Sequence, residues 1–532
     1  MTHSESHHLC GCCGISRRDF LTGCAGCLGA AGALSQLIVP SGFAEETAAA
    51  GDQMTVRVIF MLFAPVQPLV TMDWPGYGFD FSPVMEQTMN ALKNGCAEIH
   101  FVASMANGPE KVQEIIEADN ISGNVDGYIV MQMNTWPGGI QDAVNSGKPV
   151  LYADFNFGGS GGFLRSTAGI VRAGNPNFAF MSSGRVAEVV AAANCFPLVK
   201  KPGGLQAFVD GVKKVRLDAV AAVNEDMKCL EDKLDLLSID ELRKELKTQK
   251  MLELEHGWVD WIPEIRESLG IEIIRRPFSE LHDLWLKADK DQAQEIADRW
   301  KQTAVAVVDV SDETLLNSAM MYLAMKQQLK MHDATAVTIN CLGGFESILK
   351  GYPCLGFLEL MDEGLIGACE CDTVSTLTMM IITTMTKGRP GFISDPVMDV
   401  AAKQIIYAHC VAASKAFGPQ GPASSYDIAT HCIDRAGASV RVTLPVGYMT
   451  TSLQIRPDTK QVLFHQGKAV ATSDDDKGCR TKLACVPVGD YEKLLTMAWD
   501  HWGWHRATFY GDLKEPVFAL ADALGWKVVE EA

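Results

Sequence analysis

Glu370-Cys371-Asp372 places two carboxylates where the local pattern of the chain changes. Upstream, Leu365 to Cys369 is an apolar run suited to a buried strand, and downstream Val374, Leu377, Ile381 and Met385 recur at helical spacing. A carboxylate between the two sits at the C-terminal end of a strand, where α/β proteins gather ligands and catalytic groups. Asp372 falls at the helix start, and its short side chain suits the N-cap, where it accepts a first-turn N–H. Among the histidines that follow are His409 in I-I-Y-A-H-C, His431 in A-T-H-C-I-D and His505 in W-G-W-H. Singly, each reads as readily as a satisfied core residue as a functional one.

The stretch Pro353 to Asp372, P-C-L-G-F-L-E-L-M-D-E-G-L-I-G-A-C-E-C-D, resembles the signature of the L-arabinose isomerases. In that family P-x-L-x(4)-L-M-x-[DE]-G precedes a strand ending in E-x-D, an ending shared by the L-fucose isomerases. The resemblance implies that Glu370 is a metal ligand beside the substrate. Phe392-Ile393-Ser394-Asp395 matches the second carboxylate, which also ends a strand and is Asp in the fucose type; Pro396 departs from both patterns. His409 falls where the arabinose type carries a ligand, and His505 resembles the C-terminal ligand of both types.

The implied site is one divalent ion held by Glu370, Asp395, His409 and His505, a donor set suited to Mn²⁺. Glu370 and Asp395 would also act as acid and base, moving a proton between C1 and C2 of a sugar through an enediolate as an aldose becomes a ketose. His431, Trp502 and Trp504 are candidate substrate contacts, the indoles by stacking on a sugar ring. The family's members form homo-oligomers, so one is expected here. Two other readings stay open: an exported sugar-binding protein without turnover, and an epimerase or aldol-type lyase that shares the enediolate.

These residues need a frame. At 532 residues the chain exceeds one hydrophobic core. From Thr55, apolar runs (56–63, 97–103, 126–133, 149–153) alternate with helical patterns (83–93, 109–118, 140–145), which predicts a parallel sheet covered by helices. We read two Rossmann-like α/β domains, 45–174 and 175–344, followed by a mostly β domain with the metal site, 345–532, an L-fucose isomerase-like layout. The second contains a strand at 178–181 and amphipathic helices around 211–236 and 239–254. Gly158-Gly159-Ser160-Gly161-Gly162 reads as a flexible loop near a sugar pocket; it lacks the spacing of a dinucleotide-binding loop.

The acidic balance, 65 Asp plus Glu against 46 Lys plus Arg, excludes a nucleic-acid partner, which needs a concentrated basic face. Ser16-Arg17-Arg18-Asp19-Phe20-Leu21, a short apolar stretch and Gly42-Phe43-Ala44 have the order of a twin-arginine signal peptide over 1–44. Recognition by the twin-arginine machinery, export to the periplasm and no membrane span in the mature chain are the expectations. Five cysteines fall within that segment, and the later ones show no C-x-x-C pair, so they read as small buried hydrophobes.

Overall fold

The computed structural model describes residues 53–257, 259–345 and 349–532. The expected signal peptide, 1–44, lies outside the described residues. Among these, the chain is α/β, with parallel sheets and a mostly β C-terminal region. No helix of the described residues is long and apolar enough to cross a membrane. Two compact units divide the chain: one contains the part up to Asn224 with Val397–Gln404 and Glu492–Trp504, the other Glu225–Pro396, Ile405–Tyr491 and His505–Ala532.

The first unit is organised by β1 (Met54–Met61), β2 (Ile99–Ala106), β3 (Gly127–Gln132), β4 (Val150–Asp154) and β5 (Phe178–Met181), in the order β2-β1-β3-β4-β5. All the pairs are parallel. Helices cover both faces of such a sheet, so its strands are apolar nearly throughout; β3, β4 and β5 are buried at every position. Phe178–Met181 thus joins β4 in this sheet.

The glycine-rich segment differs from the flexible loop expected for it. Its second half starts helix Ser160–Arg172, and the glycines are there for close packing. A Cβ on Gly159 would stand 1.9 Å from the carbonyl oxygen of Gln132, and one on Gly162 2.2 Å from that of Thr135.

The second unit has three sheets. β6 (Lys250–Leu254) and β7 (Glu272–Arg276) are followed by β8 (Val307–Val308), which pairs elsewhere, and then by β9 (Ala336–Ile339) and β10 (Ile366–Cys369). The parallel sheet runs β10-β9-β6-β7. The expected helices at 211–236 and 239–254 are shorter, Gly204–Ala221 and Ile239–Leu246. Residues 223–238 run without regular structure because tertiary partners outweigh helical periodicity: Leu230 N–H bonds to Gly447 O, Leu237 N–H to Met385 O, and Asp232 takes the guanidinium of buried Arg389. Residues 250–254 become β6 because Met251, Leu252 and Leu254 are needed in the sheet core.

The C-terminal strands are β11 (Phe392–Asp399), β12 (Gln404–His409), β13 (Tyr426–Ala429), β14 (Ser439–Val442), β15 (Met449–Arg456), β16 (Gln461–Ala471), β17 (Thr481–Val488), β18 (Arg506–Tyr510) and β19 (Lys527–Glu530). Their main sheet runs β15-β18-β11-β12-β17-β16-β19, and a further β15–β16 pairing closes six strands into a ring without free edges. β14, β13 and β8 form the third sheet.

Candidate metal centre

Glu370 is aimed by a strained turn. Past the end of β10, Cys371 N–H donates to Ile339 O at 2.9 Å, and Asp372 N–H reaches back to Cys369 O at 3.3 Å. Glu370 and Cys371 both take left-handed φ, 65° and 52°. That conformation costs about 1–2 kcal/mol per residue with a Cβ, and it persists where its surroundings enforce it, often at functional sites. Asp372 Oδ1 then accepts the N–H groups of Val374 (2.9 Å) and Ser375 (3.0 Å), starting helix Thr373–Met385. That helix is buried nearly all round. Its threonines return their hydroxyls to its own backbone, as Thr376 does to Asp372 O and Thr378 to Val374 O, which lets them sit in apolar surroundings.

The other carboxylate, Asp395, is buried on β11. It does not end its strand as the sequence pattern suggested: β11 continues through Pro396 to Asp399. The ladder between β11 and β18 stops at Ser394, so the missing N–H of Pro396 is not required there.

His409 closes β12 and is 2% exposed. Neither of its ring nitrogens has a well-formed hydrogen bond, and Glu370 Oε1 lies 3.5 Å from Nε2. His505 immediately precedes β18. Its Nδ1 bonds to Asp372 Oδ2 at 2.8 Å, which turns Nε2 toward Asp395 Oδ1 at 3.0 Å and Glu370 Oε2 at 3.5 Å. The cap residue therefore has a second task. It orients an imidazole, in the arrangement by which carboxylates fix metal-binding histidines, and no local pattern around Asp372 announces this.

One donor atom from each of Glu370, Asp395, His409 and His505 lies within 4.8 Å of the others. An ion bound to nitrogen and oxygen at about 2.0–2.3 Å requires donors at such separations, so the set fits a single dication. The unsatisfied nitrogens of His409 and the ill-aligned Oδ1 of Asp395 agree, since buried polar atoms without partners are rare. The side chains of Glu370 and His505 are 25% and 16% exposed while those of His409 and Asp395 are nearly closed off. The cluster thus has one open side.

The electrostatics separate the two carboxyls. Burial raises Asp395, and the charge of Glu370 adds to this beyond what His505 and His409 offset, so its proton affinity is above the ordinary range. Burial pushes Glu370 the same way, but the close approach of the His409 ring and the charges of both histidines hold it below the usual carboxylate range. For His505 burial is outweighed by the charge of Asp395 and by the hydrogen bond to Asp372, and the ring is pulled well up.

The remaining candidates are not part of the donor set. His431 is not brought to the four donors: its Nδ1 bonds to Asp434 Oδ1 at 3.1 Å and its ring is hydrogen-bonded with Cys410. Trp502 and Trp504 belong to the first unit. There Trp504 packs edge-on against Trp74 with centroids 5.5 Å apart, and it covers Gly161.

No family model matches the chain. Among curated proteins, it is 26% identical over 257 residues to the sulfoquinovose isomerase of Clostridium sp. (strain MSTE9), across 46% of this chain and 56% of that protein. Over 265 residues it is 21% identical to the sulfoquinovose isomerase of Priestia megaterium (strain ATCC 12872 / QMB1551), across 49% and 58%. The chain is similar to sulfoquinovose isomerases. It spans between half and three fifths of their length. Of solved structures, an ABC transporter solute-binding protein from Burkholderia multivorans aligns at 12% identity over 55% of this chain and 79% of its own, with a TM-score of 0.17, too low to carry an argument.

Proposed function

We propose that the chain is a metal-dependent isomerase that interconverts an aldose and its ketose. The convergence of Glu370, Asp395, His409 and His505 carries this reading, because two carboxylates and two imidazoles suit a dication such as Mn²⁺ and also supply proton carriers beside it. A dication held there polarises the carbonyl of a bound hydroxyaldehyde and so acidifies the hydrogen on the neighbouring carbon.

The residues of the chain do the rest. Asp395, the more basic carboxylate, takes the proton from C2 and returns it to C1, while a second proton passes from O2 to O1. Glu370 stays ionised, and Asp372 keeps the Nε2 lone pair of His505 turned inward. The similarity to sulfoquinovose isomerases supports a sugar as substrate and puts a sulfonated aldose at the head of the panel to be tried, ahead of L-fucose and L-arabinose.

The proposal extends to an L-fucose isomerase-like fold, sugar stacking on Trp502 or Trp504, a homo-oligomer, and twin-arginine export to the periplasm. Fractionation of cells carrying Arg17→Lys/Arg18→Lys tests the export, and sedimentation tests the assembly. For the chemistry the decisive test is Glu370→Gln with Mn²⁺ and the sugar panel. Ketose formation is lost while circular dichroism stays unchanged; wild-type turnover in the variant refutes the assignment.

A further inference from the structure

Cys410, Cys432 and Cys479 come from three separate segments, after β12, after β13 and before β17, and are 2%, 1% and 4% exposed. Their sulfurs meet: Cys410 to Cys479 3.1 Å, Cys432 to Cys479 3.3 Å, Cys410 to Cys432 3.7 Å. A disulfide needs about 2.05 Å, so none of these pairs is bonded. An iron–sulfur cluster would hold its cysteines farther apart, because the inorganic core lies between them. Three thiolates around one ion with bonds of about 2.3 Å stand a little under 4 Å from each other, close to the largest separation here.

A histidine borders them. His431 is hydrogen-bonded with Cys410, and its Nδ1 is held by Asp434, which is itself anchored by the Tyr352 hydroxyl. The nearly buried ammonium of Lys482 donates to Cys479 O at 2.7 Å. Its charge offsets the single negative charge that three thiolates leave around a dication.

We propose that Cys410, Cys432 and Cys479 hold a structural zinc ion, separate from the carboxylate–histidine centre. Three soft thiolates select zinc over manganese. An ion held by the three thiolates ties the end of β12 to the segments after β13 and before β17. Cys410 directly follows His409, so the zinc fixes the strand end that presents that histidine.

The test uses the full chain and does not depend on the first centre. Purified Glu370→Gln protein is expected to retain about one tightly bound zinc per chain after dialysis against a mild chelator. Cys432→Ser is expected to lose it. Replacement by Co²⁺ gives a thiolate-to-metal charge-transfer band in the near ultraviolet, absent in Cys432→Ser. Should that variant fail to fold, X-ray absorption of the wild-type zinc protein decides, with three sulfurs at about 2.3 Å expected. A shell of nitrogen and oxygen only, zinc retained by Cys432→Ser, or a Cys410–Cys479 disulfide in peptide maps of freshly purified protein each overturns the proposal.

Discussion

His505 and Arg506 are neighbours in the chain, and each anchors a buried polar cluster of opposite character. Arg506 is fully buried and donates through Nε and a terminal nitrogen to Glu531, at 3.1 and 2.5 Å, and through its other terminal nitrogen to His505 O at 2.8 Å. Glu531 also takes His465 Nδ1 at 2.9 Å; the other ring nitrogen of His465 meets the Tyr407 hydroxyl, which continues to Ser452 and Thr508. Every charge has a counter-charge and a geometry. The His505 cluster has carboxylates and imidazoles too, but its hydrogen bonds stop short at His409 and Asp395. Burial and residue type are alike in the two; completeness of hydrogen bonding separates scaffold from binding site.

Breaking one member of each cluster should therefore give opposite results. The largest effect is expected at Glu370→Gln, with ketose formation down by about a thousandfold or more, as when a group acting in the transition state is removed. Thermal stability of the metal-free protein falls only modestly, because the partly exposed Glu370 carboxylate is favoured by His409 and His505 without being locked into a closed hydrogen-bond network. A large fall in melting temperature would mean that the centre is scaffold after all.

Glu531→Gln should do the reverse. Leaving Arg506 buried without its carboxylate costs about 3–5 kcal/mol, read by denaturant titration. The pH dependence has a definite sign. Burial alone would raise the Glu531 carboxyl, but the charge of Arg506 and the hydrogen bond from His465 hold it down to about 2 against an ordinary 4.5. A lowered folded-state value means that its contribution is complete above about 4.5 and is lost as pH falls through about 2. The variant should lack that part of the acid-induced loss of stability; an unchanged slope would show that Glu531 is not responsible for it.

The difference between the clusters also explains what could be read in advance. β1 to β4 were legible because strands buried on both faces are continuous apolar runs, and Glu370 because strand, turn and cap follow each other within a few residues. The partners of Arg506 and the meeting of Cys410, Cys432 and Cys479 were not, since they join segments far apart in the chain that only the assembled sheets bring together. The helix expected through 223–238 failed for a related reason: Asp232 is bound to Arg389, far along the chain, and a window of local periodicity does not contain that partner. The glycines at 158–162 misled because a flexible loop and a tightly packed helix start call for the same residue.

The smallest effect expected is at the residue that joins helix and metal centre. In Asp372→Asn the side-chain oxygen can still cap helix Thr373–Met385, so stability changes by less than about 1 kcal/mol. The amide, however, presents an N–H to His505 Nδ1 where a carboxylate oxygen stood. The ring must then accept at Nδ1 and carry its proton on Nε2, which points at the other donors and blocks that nitrogen as a ligand. Loss of such a supporting carboxylate lowers metal affinity about 10–100-fold, measurable by Mn²⁺ titration. Asp372→Ala removes the cap as well and should add about 1 kcal/mol of destabilisation. If Asp372→Asn binds Mn²⁺ as tightly as the wild type, His505 is not oriented by Asp372, and the contrast between the two clusters must rest on His409 and Asp395 alone.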